Sequence, residues 1–530
     1  MTEQDRYYIT TTIPYVNGRP HIGHAEEFAQ TDAFGRYHRL RGDDTYVLTG
    51  TDENSLTNVL AAEAEGLSPQ ELVDRNSLWF KSLADDLGFA YDQFIRTAVD
   101  PRHAAASQKI WRAVDASGDI YKQRYSGLYC VRCEQYYDED ELIDGLCPEH
   151  GIPPQLVEEE NYFFRLSKYA DALHELVSSD RLLIMPEFRK NEVLSFISSG
   201  LQDFSVSRSH TRAHGWGIPV PDDPSQVMYV WFDALTNYIS AIDYADEGER
   251  YARYWLENPH RVHALGKGVI RFHAIYWPAM LLSAGIPLPE AEFVHGYINI
   301  AGAKMSKSLG NTIDPAELVQ TYGRDAVRYF LLRGISATRD ADFVDVDGFH
   351  DQLRSRYNAD LANDLGNLVN RTVTMVGRFG EGAVPSPGNS SQLDSSVRDL
   401  TNEVGRRVQN AMQAYNPQLA LEVIWELVTR ANKYVEETAP WTLSKVARDG
   451  DATAAAELEH VLFTLAESVR IIGTLLEPFI PDTAERIQQQ LGVAREANTT
   501  WTDTLRWGQM PPGTRVASPQ PLFPRLELAV

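Results

Sequence analysis

The feature that most constrains the fold is an opening pattern of strand, helix and strand. Residues 7–13 (YYITTTI) have the composition of a buried strand, 24–40 have the periodicity of an amphipathic helix, and 45–50 (TYVLTG) form a second strand. This order predicts a parallel sheet of the doubly wound type. The alternation returns at 260–300, where HRVHALG, a helical stretch and AEFVHGYINI follow one another. We therefore expect an α/β fold built on a Rossmann-type parallel sheet.

An insertion separates the two α/β stretches, and a region of helices follows them. From residue 351 the apolar positions recur at helical spacing with short polar breaks, which predicts an antiparallel helix bundle. The segment 381–396 (EGAVPSPGNSSQLDSS) is rich in loop formers and predicts a linker between the first and second bundle helices. The predicted parts are the first half of the sheet domain (1–114), the insertion (115–205), the second half (206–350), the bundle (351–505) and a tail (506–530).

Composition excludes several classes of protein. Among 530 residues, 43% are hydrophobic and 23% are charged, as in an ordinary globular protein. The net charge of -25 argues against nonspecific binding of nucleic acid, although it allows a locally basic groove. We find neither a secretory signal nor an apolar stretch near the roughly 20 residues that span a bilayer. The expectation is a cytoplasmic protein with no membrane partner.

All three cysteines lie in one short window of the predicted insertion. Cys130, Cys133 and Cys147 precede His150 in the pattern Cys-x2-Cys-x13-Cys-x2-His. This spacing predicts a closed tetrahedral zinc site, and because no ligand position is left for water, the metal would be structural. The alternative is three separate thiols and a histidine that is near them by chance.

A pair of histidines opens the first predicted helix. Because this helix follows a parallel strand directly, its first backbone N–H groups and its dipole favour an anion. His21 and His24 are three residues apart and share one helical face, and Gly23 leaves room for a flat ring to approach. Two imidazoles beside a phosphate site could stabilise a phosphoryl transition state. The alternative is an ordinary surface pair.

A second cationic segment lies near residue 305. It reads GAKMSKSLGN (302–311), in which Lys304 and Lys307 alternate with small residues between glycines. Such a loop suits a departing pyrophosphate. Taken alone, it is equally an ordinary solvated loop.

Together, HIGH (21–24) and KMSKS (304–308) resemble the paired signature of class I aminoacyl-tRNA synthetases. The segments IPY (13–15), TGTD (49–52), YVWFDA (229–234) and FH (272–273) resemble the methionyl-tRNA synthetase family, in a single-knuckle bacterial form. The resemblance implies ligation of methionine to methionine tRNA through a methionyl-adenylate, with ATP and magnesium as cofactors and a structural zinc. It also implies that the helix bundle binds the anticodon.

The resemblance assigns roles to particular residues. The catalytic set would be His21, His24, Lys304, Lys307 and Arg208. Methionine would be bound at its ammonium by Asp52 and Tyr15, and at its thioether chain by Ile13, Trp231, Ala234, Leu235, Tyr238 and His273. The nucleotide would contact Gly23, Glu27, Lys267, Lys304 and Lys307, and the anticodon would contact Asn367, Arg371 and Trp441.

The sequence departs from the family pattern at two places. Asn54 and Ser55 stand where the family usually has His-Gly, and Gly268 stands where it has an aspartate near the adenylate ribose. Loss of that carboxylate removes charge-assisted hydrogen bonds worth about 1.5–3 kcal/mol. Ordinary drift in a housekeeping enzyme is one explanation of these departures. The alternatives are a second, inhibitor-insensitive paralogue, a ligase that adenylates an amino acid for a small acceptor, or a silent RNA-binding protein. We expect a monomer.

Overall fold

The amino-terminal half of the sheet domain begins with the strand, helix and strand that the sequence predicts. The computed structural model describes residues 5–132, 134–148, 151–304, 312–387, 392–493 and 499–527. The elements of this half are β1 (Arg6–Thr10), α1 (Ile22–Arg41), β2 (Asp44–Thr51), α2 (Leu56–Glu65), α3 (Pro69–Asp86), β3 (Gln93–Arg96) and α4 (Pro101–Ala116). Helix α1 ends at Gly42, whose φ of 93° is a left-handed conformation that glycine adopts without strain.

The insertion forms a small antiparallel sheet flanked by two helices. Its elements are β4 (Ile120–Cys130), β5 (Gln135–Tyr137), β6 (Gln155–Phe164), α5 (Ala170–Ser178), β7 (Leu183–Met185), α6 (Glu187–Ser198) and β8 (Phe204–Ser205), with 3-10 turns at Glu139–Glu141 and Leu166–Tyr169. Strands β5, β4, β6 and β8 are hydrogen-bonded in that order. Strand β7 does not join them.

The second half of the sheet domain completes the α/β pattern. Its elements are β9 (Ser207–Ser209), β10 (Pro219–Val220), β11 (Asp223–Met228), α7 (Val230–Ser240), α8 (Glu249–Tyr251), β12 (Arg261–Gly266), α9 (Trp277–Ala284), β13 (Ala291–His295), β14 (Ile298–Ile300), β15 (Ala303–Lys304), α10 (Pro315–Tyr322), α11 (Arg324–Tyr329), β16 (Ala341–Phe343) and α12 (Val346–Arg356). Single-turn 3-10 segments cover Tyr244–Asp246 and Lys267–Val269, and π-helical segments cover Ala252–Leu256, Phe272–Tyr276 and Phe330–Gly334.

The central sheet is parallel throughout, in the order β3-β2-β1-β12-β13-β7. Strands β2 and β3 lie on one side of β1, whereas β12 and β13 lie on its other side, followed at the edge by β7 from the insertion. This arrangement places a crevice at the carboxyl ends of β1 and β12, where doubly wound sheets bind their ligands. The Rossmann-type fold that the sequence predicts is confirmed.

A row of polar side chains crosses the face of the sheet covered by α7 and α9. Thr10, His263 and Glu292 are neighbours on adjacent strands, and all three are fully buried. Thr10 Oγ1 lies 2.8 Å from His263 Nδ1. Neither carboxyl oxygen of Glu292 has a hydrogen-bond partner among the described residues. Burial therefore raises the pKa of Glu292 well above its ordinary value.

The segment AEFVHGYINI (291–300), which the sequence predicts as one strand, forms two strands that belong to different sheets. Strand β13 belongs to the central sheet, whereas β14 pairs with β15 and β16 in a separate sheet. The break falls at Gly296, where a Cβ atom would lie 2.3 Å from the backbone carbon of Arg339. Only glycine allows the two backbones to approach so closely.

The carboxyl-terminal region is a helix bundle, as the sequence predicts. A π-helical segment (Tyr357–Gly366) leads into α13 (Asn367–Phe379), α14 (Gln392–Gln413), α15 (Pro417–Thr438), α16 (Pro440–Arg448), α17 (Ala452–Leu476), α18 (Pro481–Leu491) and α19 (Trp501–Thr504). Over the ranges described, no helix is long and apolar enough to cross a membrane.

A fully buried ion pair of the sheet domain lies against the bundle. Arg328 lies 2.6 Å from Asp32 of α1, and neither side chain is exposed. The same guanidinium donates hydrogen bonds to the backbone carbonyls of Leu87, Pro478 and Phe479. Helix α1 is thereby connected to the turn between α17 and α18.

Candidate active site

A cavity of about 370 Å³ opens at the carboxyl ends of β1, β12 and β13. Segments that follow these strands form its walls together with the first turn of α1 and one face of α7. The predicted site residues that line it are Ile13, Tyr15, His21, Gly23, His24, Glu27, Trp231, Ala234, Leu235, Tyr238 and His273. The structure thus brings together residues from four separated segments of the chain.

The two histidines cap the helix that they open. His21 Nδ1 accepts the N–H of Gly23 at 3.1 Å, and His24 Nδ1 accepts the N–H of His21 at 3.0 Å. Their ring centroids are 3.9 Å apart, so they share one face as predicted. Because each Nδ1 is an acceptor, the proton of a neutral ring lies on Nε2, which can donate to an anion. A Cβ at Gly23 would lie 3.0 Å from the His21 ring.

Glu27 is the one carboxylate among the described residues that line the cavity. Its Oε1 accepts hydrogen bonds from the backbone N–H and the hydroxyl of Thr12, at 2.8 and 2.6 Å. Its Oε2 lies 2.8 Å from Nε2 of His295. Both side chains are less than one-tenth exposed. The carboxylate is therefore fixed from both sides.

The opposite end of the cavity is aromatic. His273 Nδ1 donates to the carbonyl of Val269 at 2.9 Å, so Nε2 accepts from the hydroxyl of Tyr238 at 2.6 Å. Burial lowers the pKa of His273 to about 4, which keeps the ring neutral at physiological pH. The ring of Trp231 stacks on Phe272 with centroids 3.7 Å apart. This wall is uncharged and polarizable, as an apolar sulfur-containing chain requires.

Asp52 lies beside the cavity at the end of β2. It forms a bridge with Tyr15, and its backbone N–H donates to Pro14 at 2.9 Å. Burial and the neighbouring carboxyls of Asp233 and Glu134 raise the pKa of Asp52 well above its ordinary value. A group of buried carboxyls of this kind favours an incoming cation.

The departures at residues 54 and 55 have structural roles. The side-chain amide of Asn54 donates to Asp233 at 3.0 Å, and its backbone N–H donates to Asp52 at 3.2 Å. Ser55 is the N-cap of α2, where its hydroxyl accepts the N–H of Asn58 at 3.2 Å. Asn54 therefore links the two buried aspartyl groups.

Two predicted cationic residues lie apart from the cavity lining. Arg208 lines a separate small cavity, where its guanidinium is 4.2 Å from the ring centroid of Tyr229 and donates to Ser205 and Ser207. Lys267 is paired with Asp340 at 2.5 Å. For Lys304 only the backbone, in β15, is described, and Lys307 lies outside the described residues.

Sequence reasoning missed several residues of the cavity. His295 ends β13 and Tyr297 follows it, Thr12 follows β1, and Asn237 lies on α7. The positions of His295 and Tyr297 could have been expected, because the carboxyl ends of neighbouring parallel strands meet at one edge. No pattern in the sequence indicates Asn237.

Comparison with known proteins identifies the family. A model of class I tRNA synthetases, of the methionine type, matches residues 7–153 and 150–373. The methionine--tRNA ligase of Brucella suis is 45% identical over 526 residues, which is 98% of each chain. That of Bacillus subtilis is 41% identical and covers 99% of this chain and 78% of its own. The chain belongs to the methionyl-tRNA synthetase family.

A solved structure of this family has the same fold. Mycobacterium tuberculosis methionyl-tRNA synthetase in complex with methionyl-adenylate matches with a TM-score of 0.92 and 42% identity, over 98% of this chain and all of the other. The family resemblance read from the sequence is confirmed.

The bundle also matches the family. A model of the anticodon binding domain of methionyl tRNA ligase covers residues 384–528. The Arg371 guanidinium lies 5.8 Å from the ring centroid of Trp441, whose side chain is 45% exposed, and pairs with Glu436 at 2.7 Å. Asn367 is exposed one helical turn before Arg371. The structure therefore brings the predicted trio to one surface.

The predicted zinc knuckle is only half described. Cys130 and Cys147 are buried in one small cluster with Tyr137, and the backbone turns tightly after Cys147, whose carbonyl accepts the N–H of Gly151 at 2.8 Å. Cys133 and His150 lie outside the described residues, and the described part alone contains no group of three ligands. Cysteine is one of the residue types that bind zinc in structural sites.

Proposed function

We propose that this chain ligates L-methionine to a methionine tRNA through a methionyl-adenylate, releasing AMP and pyrophosphate. The observation that carries this proposal is one cavity with His21, His24 and Glu27 at one end and a neutral aromatic wall at the other. The related Mycobacterium tuberculosis enzyme, solved with methionyl-adenylate, supports it.

In the first step, a carboxylate oxygen of methionine attacks the α-phosphorus of ATP, and pyrophosphate leaves. The Nε2 donors of His21 and His24 and the amino-terminal end of α1 would stabilise negative charge on the phosphates. Lys304 and Lys307 would neutralise the leaving pyrophosphate, assisted by Arg208 and Lys267. Magnesium bound with ATP supplies further positive charge. No side chain becomes a covalent nucleophile, because positioning and charge stabilisation suffice.

Methionine recognition divides between the two ends of its chain. Asp52 would bind the ammonium, since Asp52 and the neighbouring carboxyls of Asp233 and Glu134 together favour a cation beside the cavity. Tyr15 would orient that group. The thioether would lie against Trp231, Tyr238 and the neutral His273, with Ile13, Ala234 and Leu235 closing the pocket around it.

Two further parts of the chain would serve the RNA and the fold. Asn367, Arg371 and Trp441 would stack on and hydrogen-bond the anticodon bases. Cys130, Cys133, Cys147 and His150 would hold a zinc ion, which would stabilise the insertion without taking part in the chemistry. We also propose that the enzyme is cytoplasmic and that it is a monomer. Size-exclusion chromatography with light scattering would test the monomeric state.

Two assays separate the proposed function from its alternatives. Methionine-dependent exchange of pyrophosphate into ATP measures adenylation, and charging of methionine tRNA measures transfer. Activity in both is expected. Exchange without charging would favour a ligase for a small acceptor, whereas activity in neither assay would favour an RNA-binding protein. The variant His24→Ala should lose exchange while it still binds tRNA.

A further inference from the structure

The nucleotide end of the cavity contains an ion pair between Glu27, a predicted nucleotide-binding residue, and His295, which the sequence did not indicate. His295 belongs to β13 and Glu27 to α1, and they are 268 positions apart in the chain. His295 Nε2 lies 2.8 Å from Glu27 Oε2, and His295 Nδ1 lies 2.9 Å from the carbonyl of Gly296. Because a carbonyl and a carboxylate only accept, both ring nitrogens must donate. The ring is therefore an imidazolium.

The surroundings support a charged ring. Burial lowers the pKa of His295, but the hydrogen bond that His295 donates to Glu27 and the negative charges of Glu27 and Glu26 outweigh it and raise the pKa to about 9. Lys267 and Asp340, at the ends of the adjoining loops, neutralise each other. Burial raises the pKa of Glu26 to about 8, so Glu26 is mostly neutral at pH 7 and the positive charge beneath the cavity is balanced mainly by Glu27.

The backbone leaves space for this ring. A Cβ atom at Gly266 would lie 3.3 Å from the His295 imidazole, so a side chain there would push the ring from Glu27. Glu27 is in turn held by two hydrogen bonds from Thr12. The three contacts fix the Glu27 carboxylate in the wall of the cavity.

The position of the Glu27 carboxylate matters for nucleotide binding because residue 268 is a glycine. Gly268 lines the cavity but offers no carboxylate to the ribose, and Glu27 is the one carboxylate among the described lining residues. We propose that His295 is a positioning residue for nucleotide binding: it holds Glu27 against the nucleotide in a site where Gly268 has removed the other acidic group. This inference rests on the proposed function.

Two substitutions of His295 distinguish the effect of its hydrogen bond to Glu27 from the effect of its positive charge. In His295→Gln the amide can replace the Nε2 donor without its charge, whereas His295→Asn is too short to reach Glu27. The Michaelis constant for ATP in pyrophosphate exchange should rise about tenfold in His295→Asn and less in His295→Gln, as expected for a charge-assisted hydrogen bond. The Michaelis constant for methionine should stay within twofold. The control is His260→Gln, which breaks the half-exposed pair His260–Glu290 far from the cavity.

A pH profile and a double-mutant cycle complete the test. In the wild type the ATP constant should be flat from pH 6 to 7, below the pKa of Glu26 near 8, and should rise as the His295 ring loses its proton near pH 9. This rise should be absent in His295→Gln. If the effects of His295→Asn and Glu27→Gln on ATP add fully, the two residues are not coupled and the proposal is overturned. Equal losses for ATP and methionine would also overturn it, while an inactive wild type would refute the proposed function instead.

Discussion

Glu292 makes the stability of the sheet domain depend on pH, and Glu292→Gln should remove that dependence. Because burial raises the pKa of Glu292, the folded chain keeps a proton that the unfolded chain releases near the ordinary value of 4.5. The stability that this proton provides is complete below that value and is lost as pH rises toward the folded pKa. The slope is about 1.4 kcal/mol for each pH unit, since one proton is released on unfolding.

This slope converts to a measurable shift in melting temperature. An unfolding entropy of about 2.1 cal/mol/K per residue gives ~0.7 kcal/mol/K for a domain of roughly 350 residues, so each pH unit corresponds to ~2 °C. The assay is differential scanning fluorimetry at pH 5.5, 6.5 and 7.5. The melting temperature of Glu292→Gln minus that of the wild type should increase by ~4 °C from pH 5.5 to pH 7.5.

The control is Glu187→Gln, which removes the same charge from an exposed side chain in the first turn of α6. Its melting curve should keep the wild-type dependence on pH. If the difference between Glu292→Gln and the wild type is constant across the range, Glu292 is ionised in the folded protein and the reasoning from its burial is wrong.

Three further predictions concern binding of ATP, tRNA and metal. Gly268→Asp should lower the Michaelis constant for ATP about tenfold in pyrophosphate exchange, because it restores charge-assisted hydrogen bonds to the ribose. Trp441→Ala should lower charging efficiency by about ten- to a hundredfold and leave exchange unchanged, because it removes a stacking surface for one base. Cys147→Ser should release one zinc ion per chain, measured by mass spectrometry, and lower the melting temperature of the insertion.

Matched control variants accompany the first two of these predictions. Gly377→Asp adds the same group at an exposed helical glycine with open space around its Cβ, and it should leave the ATP constant unchanged. Leu419→Ala truncates a 42% exposed bundle residue and should not affect charging. An unchanged ATP constant in Gly268→Asp would mean that the site already compensates, and full zinc occupancy in Cys147→Ser would reject the knuckle.

Local patterns predicted the elements of this fold well, because their signals lie within a few residues. The strand, helix and strand that surround His21 and His24 are set by periodicity and by the helix opening. The division of AEFVHGYINI between two sheets was missed, because it depends on the approach of Arg339, some 40 residues later, to Gly296.

Contacts between distant segments account for what the sequence could not indicate at the site. The pairing of His295 with Glu27 and the placement of Arg208 among tyrosine rings arise only when separate strands and loops pack together. The link from Asn54 to Asp233 spans 179 positions and gives a structural purpose to a residue that the sequence marked only as a departure.

The buried guanidinium of Arg328 has a consequence for how the bundle can move against the sheet domain. Asp32 holds this guanidinium within the sheet domain, and the backbone carbonyls of Pro478 and Phe479 in the bundle accept hydrogen bonds from it. Displacement of the turn between α17 and α18 would remove these bonds from a buried charged group, at about 1.5–3 kcal/mol each. This turn is therefore anchored to the sheet domain, and any rearrangement of the bundle around a large RNA would have to keep the anchor.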